Sequence, residues 1–301
     1  MSQMEKLLPY GTSVRKVYTG AIWSEGPCWI PQKKCLRWSD IPNNRILEYF
    51  PHSEATEVYK TDVEFTNGRT LDLDGSVIQC SHGLRRIERD RDGVVDSLVD
   101  SYSGARFNSP NDVVVSKNGL VWFTDPPYGI IVKAEGHPGV KEYHDCYVFS
   151  FDPKTLELTP VVTDVEEPNG LAFSPDEKIL YIADTSSIFN PSGNRHIRAY
   201  EMQNGRAKNG RTLIEISENE GVIDGFRVDK DGNLWCSSEI GVQIFTSDGK
   251  HIGTIELPEK VGNLAFGGDD GTDLYIAANT SLYHVRTSKT DAARHYPIDS
   301  N

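Results

Sequence analysis

The sequence predicts an all-β chain folded as a six-bladed β-propeller, and three observations carry that prediction. Short runs rich in Val, Ile, Tyr, Trp and Phe recur along the chain, broken by Asn-Gly, Asp-Gly and Pro-Asp turns, the pattern of antiparallel hairpins. One strand-turn-strand phrase returns at residues 25, 67, 111, 169, 224 and 261, at spacings of 42, 44, 58, 55 and 37 residues. Repeats of that length built from strands are propeller blades, and six copies imply six blades. The copies also span nearly all of the 301 residues, so the chain reads as one domain, 1–301, with short polar tails.

Residues 1–13 read as a polar lead-in. Residues 14–23 alternate loosely and are one candidate for the outer strand that closes the ring; residues 292–298 are the other, and the sequence leaves that choice open. Blade one runs from Glu25-Gly-Pro-Cys-Trp-Ile into Cys35-Leu-Arg-Trp-Ser-Asp. Blade two opens at Asn67, turns at Asp74-Gly75, and carries Ser81-His82-Gly83 and a hairpin turn at residues 90–93. Blade three is built on 108–129, with strands 112–116 and 120–124 around Lys117-Asn118-Gly119. The strandless residues 126–145 that follow read as a rim or lid, with His137 and His144 on its surface. Blade four opens at Asn169 and carries a second insertion, 185–196; its polar stretch 205–212 reads as a loop between blades. Blades five and six open at Asp224 and Val261.

The net charge of −13 argues against nucleic acid or an anionic membrane surface as partner. No apolar run approaches membrane length and no signal-like segment stands at the N-terminus, so a cytoplasmic protein is expected. The five cysteines (28, 35, 80, 146 and 236) include no C-x-x-C pair, which disfavours a disulfide framework or structural zinc. Neither G-x-S-x-G nor H-E-x-x-H occurs, which disfavours a serine triad and a zincin.

The residues that open the phrases are Glu25, Asn67, Asn111, Asn169, Asp224 and Val261. Five of these six anchors carry a side-chain oxygen within otherwise apolar repeats. If each begins the innermost strand of its blade, they ring the mouth of a central channel. Two carboxylates converging there repel and are costly to bury unless a cation joins them. Oxygen-only ligation favours a divalent ion, Ca²⁺ foremost, with Mg²⁺ or Mn²⁺ next and Zn²⁺ or Fe open. Turn preference alone explains Asn and Asp before a strand, but neither Glu25 nor the shared register.

Ser24-Glu-Gly-Pro, Asn108-Ser-Pro-Asn-Asp-Val, Phe123-Thr-Asp-Pro-Pro-Tyr-Gly, Pro168-Asn-Gly-Leu-Ala-Phe-Ser and Asp224-Gly-Phe-Arg-Val-Asp together resemble the gluconolactonase and regucalcin family of six-bladed propellers. The resemblance runs from about Ser24 to Tyr283. It implies a channel metal held by Glu25, Asn169 and Asp224, with Asn111 as fourth ligand or its water-linked neighbour, and hydrolysis of sugar lactones. Ser81 and Ile223 depart from the family pattern, which bears on substrate choice, and Asn67 receives no role from it.

A lactone needs its carbonyl polarised and a water made nucleophilic. A divalent cation meets the first need, and a carboxylate beside it accepts the water's proton. Asp224 is the expected base as well as a ligand. On the substrate side, Asn111 is expected to orient substrate or water, Asp112 to support it, and Arg106 and His82 to grip sugar hydroxyls. Hydrolysis of organophosphate esters on the same site, or a calcium- or ligand-binding propeller without turnover, are the alternatives.

Overall fold

The computed structural model describes residues 3–143 and 145–293. Six four-stranded antiparallel sheets follow one another around a ring. Their innermost strands are Ser24–Ile30, Thr66–Leu71, Val113–Val115, Pro168–Phe173, Phe226–Val228 and Val261–Gly267. Each sheet then runs outward in chain order, and the six-bladed propeller expected from the repeats is the fold observed. None of the described helices is long and apolar enough to cross a membrane.

The ring is closed by the N-terminal segment. Arg15–Thr19 pairs antiparallel with Ser281–Arg286 and completes the last blade as its outermost strand. Glu259 secures this joint: its carboxylate accepts from Lys16 Nζ (2.9 Å), Ser281 Oγ (2.7 Å), Tyr283 OH (2.7 Å) and the Thr280 backbone and hydroxyl (3.0 and 2.9 Å). Of the C-terminal candidate, Ala292 donates its backbone N–H to Val228 O at 2.8 Å, and the residues beyond 293 lie outside the described part. His144 lies outside it too.

Alternating apolar residues of the inner and middle strands interlock between blades. Trp122 meets Phe173 edge-on at 5.2 Å, Trp235 meets Phe266 at 5.4 Å, and Trp29 stacks on Tyr275 at 5.7 Å, each pair bridging neighbouring blades. Blades one and two also share a buried ion network. Arg37 donates to Glu48 (2.6 and 2.9 Å) and Asp90 (3.3 Å) and stacks over Tyr59 at 3.6 Å. Removing one partner of such a group leaves a buried charge unpaired, so it fixes how the two blades meet.

One expectation is corrected. Residues 205–212 are not a loop between blades: Gly205 sits in a turn, and Arg206–Glu215 is the outermost strand of blade four, paired with His196–Gln203. It is mostly exposed, so no apolar alternation marks it as a strand.

Candidate active site at the channel mouth

The anchors meet where the inner strands begin. In four blades the inner strand shifts register at that point: between Glu25 and Cys28, Thr66 and Arg69, Pro168 and Leu171, and Val261 and Asn263. Bulges of this kind re-aim side chains out of the alternating pattern, here around the channel. The residue after the anchor is Gly26, Gly68, Gly170, Gly225 or Gly262 in five blades, and the reason is close approach. A Cβ on Gly26 would lie 2.1 Å from the Asn67 carbonyl oxygen, on Gly68 2.4 Å from that of Asn111, and on Gly170 2.4 Å from that of Asp224. The N–H groups of Gly68 and Gly170 donate to those same carbonyls at 2.9 and 3.0 Å. Each glycine lets the next anchor press against its blade, which draws the ring tight.

Blade three has Asp112 where the other blades have glycine. Its Oδ1 accepts from the Val113 N–H (2.9 Å), and Arg227 Nη1 stands 3.7 Å from its Oδ2. Burial raises its pKa, while Arg227 and the Asn263 amide pull it back. The sixth blade is also corrected in detail. Val261 is apolar, as its sequence position showed, but the register shift brings Asn263 inward, and its Nδ2 donates to Glu25 Oε2 at 3.3 Å.

Neighbouring motifs fix each anchor. The Gly26 N–H donates to Glu25 Oε2 (2.8 Å), and among the described residues Oε1 has no partner although it is buried. Asn169 Nδ2 donates to Thr185 Oγ1 (3.3 Å), which leaves its amide oxygen for the channel. Asn111 is held by the hairpin it opens, its N–H donating to Thr124 O at 2.9 Å. The loop before it is fastened to the Phe123-Thr-Asp-Pro-Pro-Tyr-Gly segment. Asp125 accepts from the backbones of Asn108 (2.7 Å) and Ser109 (2.8 Å) and from the Tyr143 hydroxyl, and Asn108 Nδ2 returns a bond to Asp125 O (3.0 Å). The Asp224 N–H donates to Ser237 Oγ at 2.9 Å.

The electrostatics follow from burial. The Glu25 carboxyl is pushed well above its ordinary range, first by desolvation and then by Asp224. Asp224 rises to about 6 by desolvation, with Lys260 opposing and Asp112 adding to the rise. A buried carboxylate with an orphaned oxygen, raised by a half-buried one beside it, forms a site short of positive charge. No three His, Cys, Asp or Glu side chains converge into a metal cluster among the described residues; the donors here are two carboxylates completed by amide oxygens. That set fits a hard divalent cation.

The expected substrate residues are placed unevenly. Asn111 and Asp112 belong to the ring, both buried. His82 is fully buried, with Nε2 facing Asn67 Nδ2 at 3.2 Å and Nδ1 facing the Glu135 carbonyl at 3.0 Å. Arg106 is exposed, and its backbone N–H donates to Glu142 Oε2 at 2.8 Å. Residues absent from the expectation crowd the same mouth: Tyr128, hydrogen-bonded to Glu167 (3.1 Å) and to Thr185; Lys260, 5.5 Å over the Trp23 ring; and Glu135.

The two insertions wall this mouth. Residues 126–145 begin with a single helical turn, Tyr128–Ile131, and are pinned by His137 to Glu64 (2.8 Å) and by Arg85 to Val140 O (3.2 Å) and Glu142 (3.3 Å). Phe189 of the second insertion packs on Tyr128 at 5.7 Å.

Comparison with known proteins agrees with this fold. Residues 23–280 match the model of the SMP-30/Gluconolactonase/LRE-like region. The chain is 31% identical to a gluconolactonase of Zymomonas mobilis over 95% of its own length and 84% of the relative's. It is also 31% identical to a pentonolactonase of Haloferax volcanii, over 88% and 84%. Among solved structures it resembles a gluconolactonase of Xanthomonas campestris, with a TM-score of 0.88 and 34% identity over 95% and 93% of the two chains.

Proposed function

Since this chain belongs to the SMP-30/gluconolactonase/LRE-like family, we propose that it hydrolyses sugar lactones to aldonic acids with a divalent cation, Ca²⁺ foremost, held by Glu25, Asn169, Asp224 and Asn111. The observation that carries the reading is the pair Glu25 and Asp224, a buried and a half-buried carboxylate whose pKa values are raised and which are flanked by amide oxygens. The gluconolactonase and pentonolactonase relatives support the substrate class.

When bound, the cation supplies Lewis acidity toward a carbonyl oxygen and makes a water more acidic. The protein's own residues do the rest. Asp224, half-buried at the mouth, takes the proton from the attacking water as that oxygen bonds to the lactone carbonyl carbon. The ring C–O bond then breaks, and the same proton passes to the departing alkoxide, so lactone and water become a hydroxy acid. Glu25 is held by Gly26 and Asn263 and acts as a ligand only. Asn111, fixed by Thr124, orients water or substrate, and Asp112 supports the ring from within the channel.

The test is one set of kcat/KM values for gluconolactone, an acyl-homoserine lactone and a fluorophosphate, at a single metal concentration. Five- or six-membered aldonolactones are expected to lead. If either other substrate exceeds every sugar lactone tried, the assignment fails.

A further inference from the structure

We propose that Thr185 and Tyr128 are positioning residues that decide which face of the Asn169 amide is turned to the channel. The inference rests on the divalent-cation reading above. An amide has two faces of nearly the same shape, and only its oxygen can ligate a cation. Location alone therefore does not make Asn169 a ligand; something must set its orientation. Asn169 is buried, and the Gly170 N–H that follows it donates to the Asp224 carbonyl at 3.0 Å, so the two anchors stand side by side. Its Nδ2 donates to Thr185 Oγ1 at 3.3 Å.

The count of protons explains that direction. Thr185 and Tyr128 are both buried and share a hydrogen bond between their hydroxyls, each of which carries one proton. The acceptors beyond them belong to Glu167: its carboxylate Oε2, 3.1 Å from the Tyr128 hydroxyl, and its backbone carbonyl, 3.4 Å from Thr185 Oγ1. With the Tyr128 proton on the carboxylate, the bond between the hydroxyls takes the Thr185 proton. With the Tyr128 proton on Thr185, the Glu167 carbonyl takes the Thr185 proton instead. In both arrangements Thr185 meets Asn169 with a lone pair, so the amide presents N–H there and keeps its oxygen for the channel. Turning the amide over would have Thr185 donate to it and Tyr128 give up the carboxylate, a charge-assisted bond about twice as strong as a neutral one. The relay is also well anchored. The Gly129 N–H donates to Ser109 Oγ at 2.9 Å, and a Cβ on Gly129 would lie 2.6 Å from His82 Cβ, so the turn carrying Tyr128 has no room to move. Tyr128 opens one insertion and Thr185 the other, which ties both walls of the mouth to one ligand.

The experiment is calorimetric titration of metal-free protein with Ca²⁺. Thr185→Val is expected to weaken binding about tenfold, the usual cost of losing an outer hydrogen bond to a ligand, and Thr185→Ser to recover most of it. Tyr128→Phe releases the Thr185 proton and should weaken Ca²⁺ less than Thr185→Val does. The double variant should be no weaker than Thr185→Val alone, because both changes act through one amide. In Asn169→Asp either face is an oxygen, so there Thr185→Val should change the affinity less than about threefold. Wild-type Ca²⁺ affinity in Thr185→Val overturns the proposal. So does an equal loss with and without Asn169→Asp, the mark of a purely structural role. If wild type binds no divalent cation, the metal reading fails on its own, and nitrogen–proton NMR of the Asn169 side-chain amide still decides the orientation. A resonance displaced by Thr185→Val supports the relay, and one left unmoved refutes it.

Discussion

The Asn263 amide nitrogen donates to Glu25 Oε2 at 3.3 Å, so the last blade hands a hydrogen bond to the first inside the channel. Together with the Gly26 N–H it satisfies that oxygen and turns Oε1, the orphaned atom, into the one available to a ligand. Glu25 is thus held from two blades before any cation arrives, and little reorganisation accompanies binding.

Exhaustive chelation is expected to abolish lactone turnover, and Ca²⁺, Mn²⁺, Mg²⁺ and Zn²⁺ should restore it to unequal extents. Acid release, followed alongside elemental analysis, checks this. Full turnover by protein shown to be metal-free contradicts the site.

Stability should depend on pH in opposite ways with and without metal. The folded pKa values of Glu25 and Asp224 are raised by burial, so without metal the folded state binds more protons than the unfolded one. Stability then falls as pH rises from about 4 past 6, by about 3 kcal/mol for Asp224 alone. Bound Ca²⁺ removes the cause. Thermal unfolding between pH 5 and 8 should show a declining melting temperature in chelator and a flat or rising one in Ca²⁺.

Asp224→Asn keeps an oxygen in place but cannot take a proton. Its kcat should drop ~10²–10⁴-fold, with any loss of metal affinity adding to that. Near-wild-type kcat with metal still bound would move the base elsewhere, with Asp112 the next residue to test.

Gly170→Ala tests the tight ring. Its Cβ would meet the Asp224 carbonyl oxygen at 2.4 Å, a backbone atom that cannot swing away. A loss of about 1–3 kcal/mol is expected, accompanied by weaker Ca²⁺ binding in calorimetry. Wild-type affinity and stability would mean the ring has slack.

Glu259 locks the closing strand, and its pKa is depressed to about 2, by hydrogen bonds from Lys16, Ser281, Tyr283 and Thr280 that outweigh a desolvation opposing them. A depressed carboxylate stabilises the fold above its unfolded pKa, near 4.5, and loses that contribution as pH falls toward 2. Glu259→Gln should cost about 1 kcal/mol at pH 7, because the site is partly solvated, and little at pH 2.5. Equal losses at both pH values would show that packing, not charge, is what Glu259 provides.

The anchors were legible because a polar residue interrupts an apolar repeat at a fixed place, which is how Glu25, Asn169 and Asp224 declare themselves. Asn263 was not, since the shift between Val261 and Asn263 moves the inward side chain off the repeat's register. The glycine after the anchor was the unused signal; it marks the close approach in five blades. Outer strands such as Arg206–Glu215 are solvated on most of their surface and carry no alternation to read. Tyr128 lies in an insertion without periodicity, and only the fold brings it to Thr185. His82 was visible as a residue, but its two partners come from another strand and from the lid, which spacing cannot reveal.

Glu25 and Asn263 are 238 positions apart in the chain. A ribosome must therefore reach the sixth blade before Glu25 meets Asn263. Contacts so distant in sequence form late, after the individual hairpins. A chain that stops short of residue 224 has Glu25 without Asp224 opposite it and without Asn263 beside it. Such a fragment lacks the paired acids that attract a cation, so on the proposed metal reading, cation capture follows ring closure.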